Sequence, residues 1–254
     1  MLLMIGYALA VGVVAGVAAW AFRLLIGLTH NLLFLGTMSV QYDANVVTAP
    51  GPWGWGVIFV PVVGAILVAW LVDTFAPEAK GHGVPEVMHA IHNENGMIRP
   101  QVAIVKSLAS AISIGSGASV GREGPIVQIG SAFGSILGQI FPMNAADRSL
   151  LIAAGAGGGI AATFNAPLGG LLFTVELLML TVNVKSMLIV ATSTATATLI
   201  GRLLIGDQPS FNIPALQQAL PEALDLPTLG VLLVLAILGG ALSALFIRAL
   251  YKAE

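Results

Sequence analysis

Between residues 85 and 182 the chain is punctuated by proline: Pro85, Pro100, Pro125, Pro142 and Pro167 recur through apolar segments too short or too glycine-rich to cross a bilayer alone. Proline is tolerated in the first turn of a helix, where its missing N–H has no intrahelical partner to lose, so these prolines mark helix starts. A spanning helix needs about 20 apolar residues to cross about 30 Å of hydrocarbon. The helices expected near residues 85–95, 100–116, 125–140, 148–160 and 167–182 therefore include several that enter a membrane only part way.

Composition supplies the membrane. Hydrophobic residues make up 57% of the chain and charged ones 9%, where a soluble domain carries about 25% charged residues, and mean hydropathy is +0.95. Runs at residues 1–36, 57–72, 185–205 and 226–249 are long enough, or nearly so, to span as helices. The N-terminal run lacks a basic leading region and a small-residue cleavage site before a polar segment, so it reads as a spanning helix and not as a signal peptide. Trp53 and Trp55, in the loop that follows, suit a membrane interface. The fold class is all-α: a polytopic membrane protein with broken and re-entrant helices.

Several function classes find no support. The formal charge of −2, with no basic tract, offers nothing to nucleic acid or to a peripheral electrostatic anchor. The absence of cysteine removes disulfides, thiol nucleophiles and thiolate metal sites. GSGASVG lacks the Lys-Ser/Thr of a phosphate-binding loop, and GAGGG follows no strand. His89, His92 and Glu94 have a metal-like spacing but no further ligands, and read as a solvated or interfacial face. No enzyme activity, metal or cofactor is expected.

Broken helices accompany ion or substrate sites at membrane depth, and irregular backbone there must be buried in protein or line an aqueous cavity. Three helix starts stand out. Gly81-His82-Gly83-Val84-Pro85-Glu86 opens the first, Gly121-Arg122-Glu123-Gly124-Pro125 the second, and Phe164-Asn165-Ala166-Pro167 the third, with Asn165 placed to cap. Free N–H groups and the helix dipole make such ends attractive to anions. Arg122 and Glu123 form an adjacent ionisable pair in an almost uncharged setting, a functional site by default, with a structural ion pair as the bland alternative. Gly117-xxx-Gly121 and Gly130-xxx-Gly134-xxx-Gly138 permit close helix packing in lipid.

Three stretches in order, FAPEAKGHGVPEV, GREGPIVQIGS and AAGAGGGIAATFNAPLGGLLFTVE, resemble segments of the CLC chloride channels and proton-coupled chloride transporters, and the likeness covers nearly the whole chain. The resemblance implies that Glu123 is a gating glutamate whose ionised side chain occupies an anion site and leaves it when protonated or displaced. It implies anion contacts from His82, Gly83, Val84, Arg122, Glu123 and Gly124. Arg122 is expected to shape the field around the site, since a tightly bound guanidinium would trap an anion that must leave. Lys106 either adds to that field or snorkels to the interface.

The chain departs from the family pattern at two positions. His82 stands where most members present a serine; imidazole can donate to an anion and change charge near neutral pH, or it can point away and leave the Gly83 and Val84 amides to bind. Leu177 stands where proton-coupled members carry their internal proton glutamate, directly after Glu176, which itself either faces a water path or serves a structural role. Leucine carries no proton, so a channel or a weakly proton-coupled chloride transporter is expected, with a proton-coupled antiporter for chloride, fluoride or nitrate as the alternative. The ligands are chloride or a similar anion and possibly protons. The setting implied is a multi-pass protein surrounded by lipid in the inner or plasma membrane of the cell, in a homodimer with one pore per subunit.

Residues 1–206 correspond to the first of two inverted repeats and residues 226–254 to the first helix of the second. The rest of the second repeat, with its glycine-phenylalanine-proline segment and pore tyrosine, has no counterpart, and Tyr251 lies too early to be that tyrosine. A fragment is therefore expected, with a missing C-terminal half of the pore as its partner. An inactive or assembly-dependent half-repeat is the reading from a different class.

Overall fold

A computed structural model describes residues 1–42, 51–207 and 226–253. Those residues contain helices and no strand, and the chain separates into two compact units, residues 1–210 and 211–254. The first unit opens with α1, Leu2–His30, which runs into a π-helical turn, Asn31–Leu35, that stops at Gly36 in the left-handed conformation. Of the following loop, residues 43–50 lie outside the described residues. Trp53 and Trp55 are both exposed, as an interfacial position requires.

The apolar run from residue 57 winds first as a 3₁₀ segment, Gly54–Phe59, and then as α2, Val60–Phe75, with a proline in its first turn. A short 3₁₀ turn, Pro77–Ala79, leads to α3, Val84–Asn93, then α4, Pro100–Gly115, and α5, Glu123–Ile140. At 1.5 Å per residue the 10-residue α3 is about 15 Å long, half of what a bilayer demands.

Two expected boundaries move for local reasons. Pro142 starts no helix and lies in a turn; α6, Ala145–Phe164, starts instead at Asn144, whose side chain accepts the Asp147 N–H at 2.8 Å. At its other end, Asn165 takes the left-handed conformation (φ 55°) and closes α6. Asn165 therefore does not cap α7, Pro167–Leu177, which begins at Ala166 without a side-chain cap and stops short of residue 182. α8, Val184–Ile205, completes the unit.

Glycine sets the packing, because in lipid close van der Waals approach must hold helices together. A Cβ on Gly130 or Gly134 of α5 would collide with the carbonyl oxygens of Gly155 or Leu151 on α6, and one on Gly12 of α1 would lie 2.6 Å from the Ser193 carbonyl oxygen of α8. Gly117 and Gly121 belong to no such seam. They lie in the loop between α4 and α5, so their spacing packs no pair of helices. Around the seams sit fully buried Ile126, Ile129, Leu151, Ile152 and Ile189.

Buried polar groups on α5 hold the α3–α4 link. Ser135 donates to the Gly96 carbonyl at 2.7 Å and accepts the Ile98 N–H at 2.9 Å, while Gln139 donates to the Ile98 carbonyl at 3.0 Å. Arg148 of α6 adds a hydrogen bond to the Asn95 carbonyl at 3.0 Å, and together these bonds hold the link between α3 and α4.

The second unit's described part is one helix, α9, Leu226–Ala253. Among the described residues four helical stretches are long and apolar enough to cross a membrane: residues 2–35, 54–75, 184–205 and 226–252.

Candidate functional site

The first turns of α3 and α5 meet backbone to backbone. A Cβ on Gly83 would fall on the Gly124 carbonyl oxygen, and one on Gly124 would fall on the His82 carbonyl oxygen. Gly81 and Gly83 both have positive φ, 102° and 100°, a conformation that glycine adopts at no steric cost. The glycine-proline grammar of the two helix starts thus has two physical origins: sharp turns into α3, and contact between two chain segments that no side chain would permit.

A cavity of about 690 Å³ opens beside this junction, lined by α2, by the turn before α3, by one face of α4 and by the start of α5. Of the residues singled out from the sequence, His82, Lys106, Glu123 and Gly124 line it, together with Gly81 and Gly121. Glu123 is the first residue of α5, and its carboxylate curls back over Gly121, where a Cβ would stand 2.5 Å from Oε2. His82 is exposed towards the same space.

Other singled-out residues stand elsewhere. Gly83 is buried, and its N–H donates to the Glu86 carboxylate at 2.6 Å, so this amide is already engaged by a side chain of its own helix. Val84 does not line the cavity, nor does Arg122. The Arg122 guanidinium lies 5.5 Å from the centroid of the Phe164 ring, a cation–π distance that ties the loop before α5 to the end of α6. The third helix start faces other partners: Asn165 donates to Asp207 at 3.2 Å and accepts from Arg202 at 2.7 Å.

Lys106 does not snorkel. Only 6% exposed, it donates to the Ala79 carbonyl at 2.9 Å and to the Gly81 carbonyl at 2.9 Å. An ammonium buried in this way is a backbone clamp on the turn that aims α3, and it places positive charge in the cavity wall. Glu176 is exposed on α7, next to half-exposed Leu177. His89 stands 3.6 Å from Glu94, and His92 Nδ1 pairs with the Met88 carbonyl at 2.8 Å.

Several lining residues escape a reading by motif. Ser110 and Ser113 share the cavity-facing side of α4 with Lys106, and the spacing of 106, 110 and 113 is the helical repeat that would have shown it. Asp73 and Lys80 pair across the cavity wall at 2.6 Å. Glu86 could have been found three residues after Gly83, the offset of a capping box. The Arg122–Phe164 contact joins residues 42 positions apart with no local pattern to announce it.

Chemically, the site is a cavity with polar groups in its wall in an apolar protein. It brings a buried ammonium, an imidazole and two helix N-termini, which favour anions, together with a carboxylate that competes with them.

The family model described as voltage gated chloride channel matches residues 64–254. The H(+)/Cl(-) exchange transporter ClcA of Vibrio cholerae serotype O1 is 36% identical over 188 residues, covering 72% of this chain and 38% of the relative. ClcA of Salmonella arizonae is 31% identical over 240 residues, 93% of this chain and 48% of the relative. The chain therefore spans less than half the length of these relatives. Among solved structures, a slow cyanobacterial Cl-/H+ antiporter superposes with a TM-score of 0.79 at 26% identity, covering 98% of this chain and 56% of that one. A eukaryotic CLC transporter, at 21% identity and a TM-score of 0.63, shares the fold over 79% of this chain. With the family model matched over residues 64–254 and the fold shared with a solved antiporter of the family, the chain belongs to the CLC family of voltage-gated chloride channels and transporters.

Proposed function

We propose that the chain forms part of a pathway for chloride or a similar small anion, with Glu123 as its gate. The carrying observation is the position of Glu123: the first residue of α5, lining a cavity at the point where the starts of α3 and α5 abut. The relatives' names as H(+)/Cl(-) exchange transporters support the choice of anion. An ionised Glu123 competes with a transported anion for the same positive surroundings, so protonation or displacement of its carboxylate opens the site. Lys106 contributes charge to the wall, Arg122 contributes field from behind Glu123, and His82 contributes a donor that tunes which anion is preferred.

Proton coupling is weak in this reading, because Leu177 follows Glu176 where a second carboxylate would serve. The protein acts as a homodimer in the cell membrane, each subunit with its own pathway. Chloride release from liposomes containing the intact protein tests the proposal: release well above that of empty liposomes supports it, and release equal to theirs refutes it. The chloride, nitrate and fluoride permeability ratio of His82→Ser against the parent tests the role of His82. An unchanged ratio removes His82 from the site.

A further inference from the structure

A second cavity, of about 750 Å³, lies on the other side of the first turn of α3 and takes no part in the site described above. Glu78, Glu86, His89, Glu94, Arg99 and Gln128 line it, and Lys80 lines both cavities. Glu86 stands in the partition. It borders the second cavity, its Oε2 accepts the Gly83 N–H at 2.6 Å, and its Oε1 rests against Gly81, which belongs to the wall of the first.

Gln128 marks what this cavity holds. The residue is 3% exposed, and its Oε1 is the only buried side-chain nitrogen or oxygen without a hydrogen-bond partner among the described residues. A buried acceptor without a donor is costly, and beside a roomy cavity that Glu86, His89 and Glu94 also line the remedy is an ordered water.

The charges around that water select its traffic. Glu78 is paired with Arg99, and Lys80 with Asp73. Glu86, His89 and Glu94 remain, with His89 3.6 Å from Glu94 and one turn from Glu86 along α3. The groups facing Glu86 are Lys106 of α4, Lys80 of the preceding turn, His89 of its own helix and Gln128 of α5. Those two carboxylates and the imidazole, outside the Glu78–Arg99 and Asp73–Lys80 pairs, repel an anion and handle a proton.

We propose that the second cavity is a proton-loading site, in which water held by Gln128 relays protons between His89 and Glu86. Protonated His89 gives a ring proton to the water, which passes one to the Glu86 carboxylate. Glu86 releases it through the partition to water in the first cavity and thence to Glu123, returning to the carboxylate, while His89 is reprotonated from the aqueous side. No other bond changes. The inference rests on the reading of the first cavity as an anion site gated by Glu123.

Residues 1–254 contain no cysteine, so Gln128→Cys introduces the one thiol within them, and its modification, measured against the parent, reports water in the cavity. Aminoethyl methanethiosulfonate, a cation, should label it in the reconstituted protein about tenfold faster than the anionic sulfonatoethyl reagent. A thiol that labels only after denaturation, or one that prefers the anionic reagent, overturns the proposal. Proton and chloride fluxes are then followed together for the parent, Gln128→Leu and His89→Leu. Loss of one hydrogen-bonded relay step should lower proton flux about tenfold in each variant, with chloride flux retained. Unchanged proton flux, an equal fall in both fluxes, or a parent that moves chloride without protons overturns the relay. A parent that moves no chloride refutes the anion reading instead, and the thiol labelling still decides whether the second cavity is hydrated and cation-selective.

Discussion

Replacing Gly83 with alanine tests the claim that two helix starts are joined by backbone contact. Gly83 has a φ of 100°, and a Cβ there would meet the Gly124 carbonyl oxygen. Holding a non-glycine residue in such a conformation costs about 1–3 kcal/mol. Forcing a methyl group into a filled contact costs about 1–3 kcal/mol more. The sum has a midpoint near 4 kcal/mol, which for a protein of this size lowers the melting temperature by about 8–16 °C. Thermal unfolding of the purified protein in detergent reads the effect. Gly124→Ala, whose φ is not positive, suffers the packing penalty alone and should fall by about half as much. Gly6→Ala is the control: no atom stands within 4 Å of its added Cβ, and an alanine inside a helix gains about 0.5–1 kcal/mol. A Gly83→Ala protein that melts with the parent would refute the backbone junction and the positioning argument built on it.

Lys106→Met leaves the Ala79 and Gly81 carbonyls without their charged donor, and should lower stability by about 2–4 kcal/mol, read in the same melting assay; an unchanged melting temperature would show that the turn needs no clamp. Burial pushes the Glu78 carboxyl up, but the Arg99 hydrogen bond and charge outweigh it and hold the group below its ordinary 4.5. A depressed folded-state value means that its stabilising contribution is present above pH 4.5 and is lost as the pH falls through the lower folded value. Glu78→Gln should therefore flatten the acid limb of the melting temperature below about pH 4.5, and an identical acid limb would contradict the pairing.

Most of the helices were legible because proline and glycine act locally. Pro85, Pro100 and Pro167 each fall in the first turn of a helix, where ring geometry alone decides the matter. Pro142 misleads because a proline also suits a turn, and the Asn144 cap two residues later proved the stronger signal. Asn165 misleads in the same way, since asparagine tolerates the left-handed conformation that closes one helix as readily as it caps the next.

The site was legible where backbone chemistry leaves a mark in the sequence. Gly81, Gly83 and Gly124 are glycine because their conformation or contacts exclude side chains, and Glu123 is an ionisable residue in an apolar setting. Engagement of the 79–81 turn by Lys106 depends on how segments fold back on one another. Such tertiary contacts leave at most a spacing, as on α4, where residues 106, 110 and 113 share a face but the apolar residues between them dominate the pattern.

The central claim is that Glu123 gates an anion pathway. The most direct measurement is chloride flux through liposomes containing the intact protein or Glu123→Gln, each followed from acid to neutral pH. Glutamine keeps the shape of the side chain while removing both its charge and its proton. The account predicts a parent flux that changes with pH and a variant flux that does not. A Glu123→Gln protein whose flux matches the parent in size and in pH dependence would contradict it.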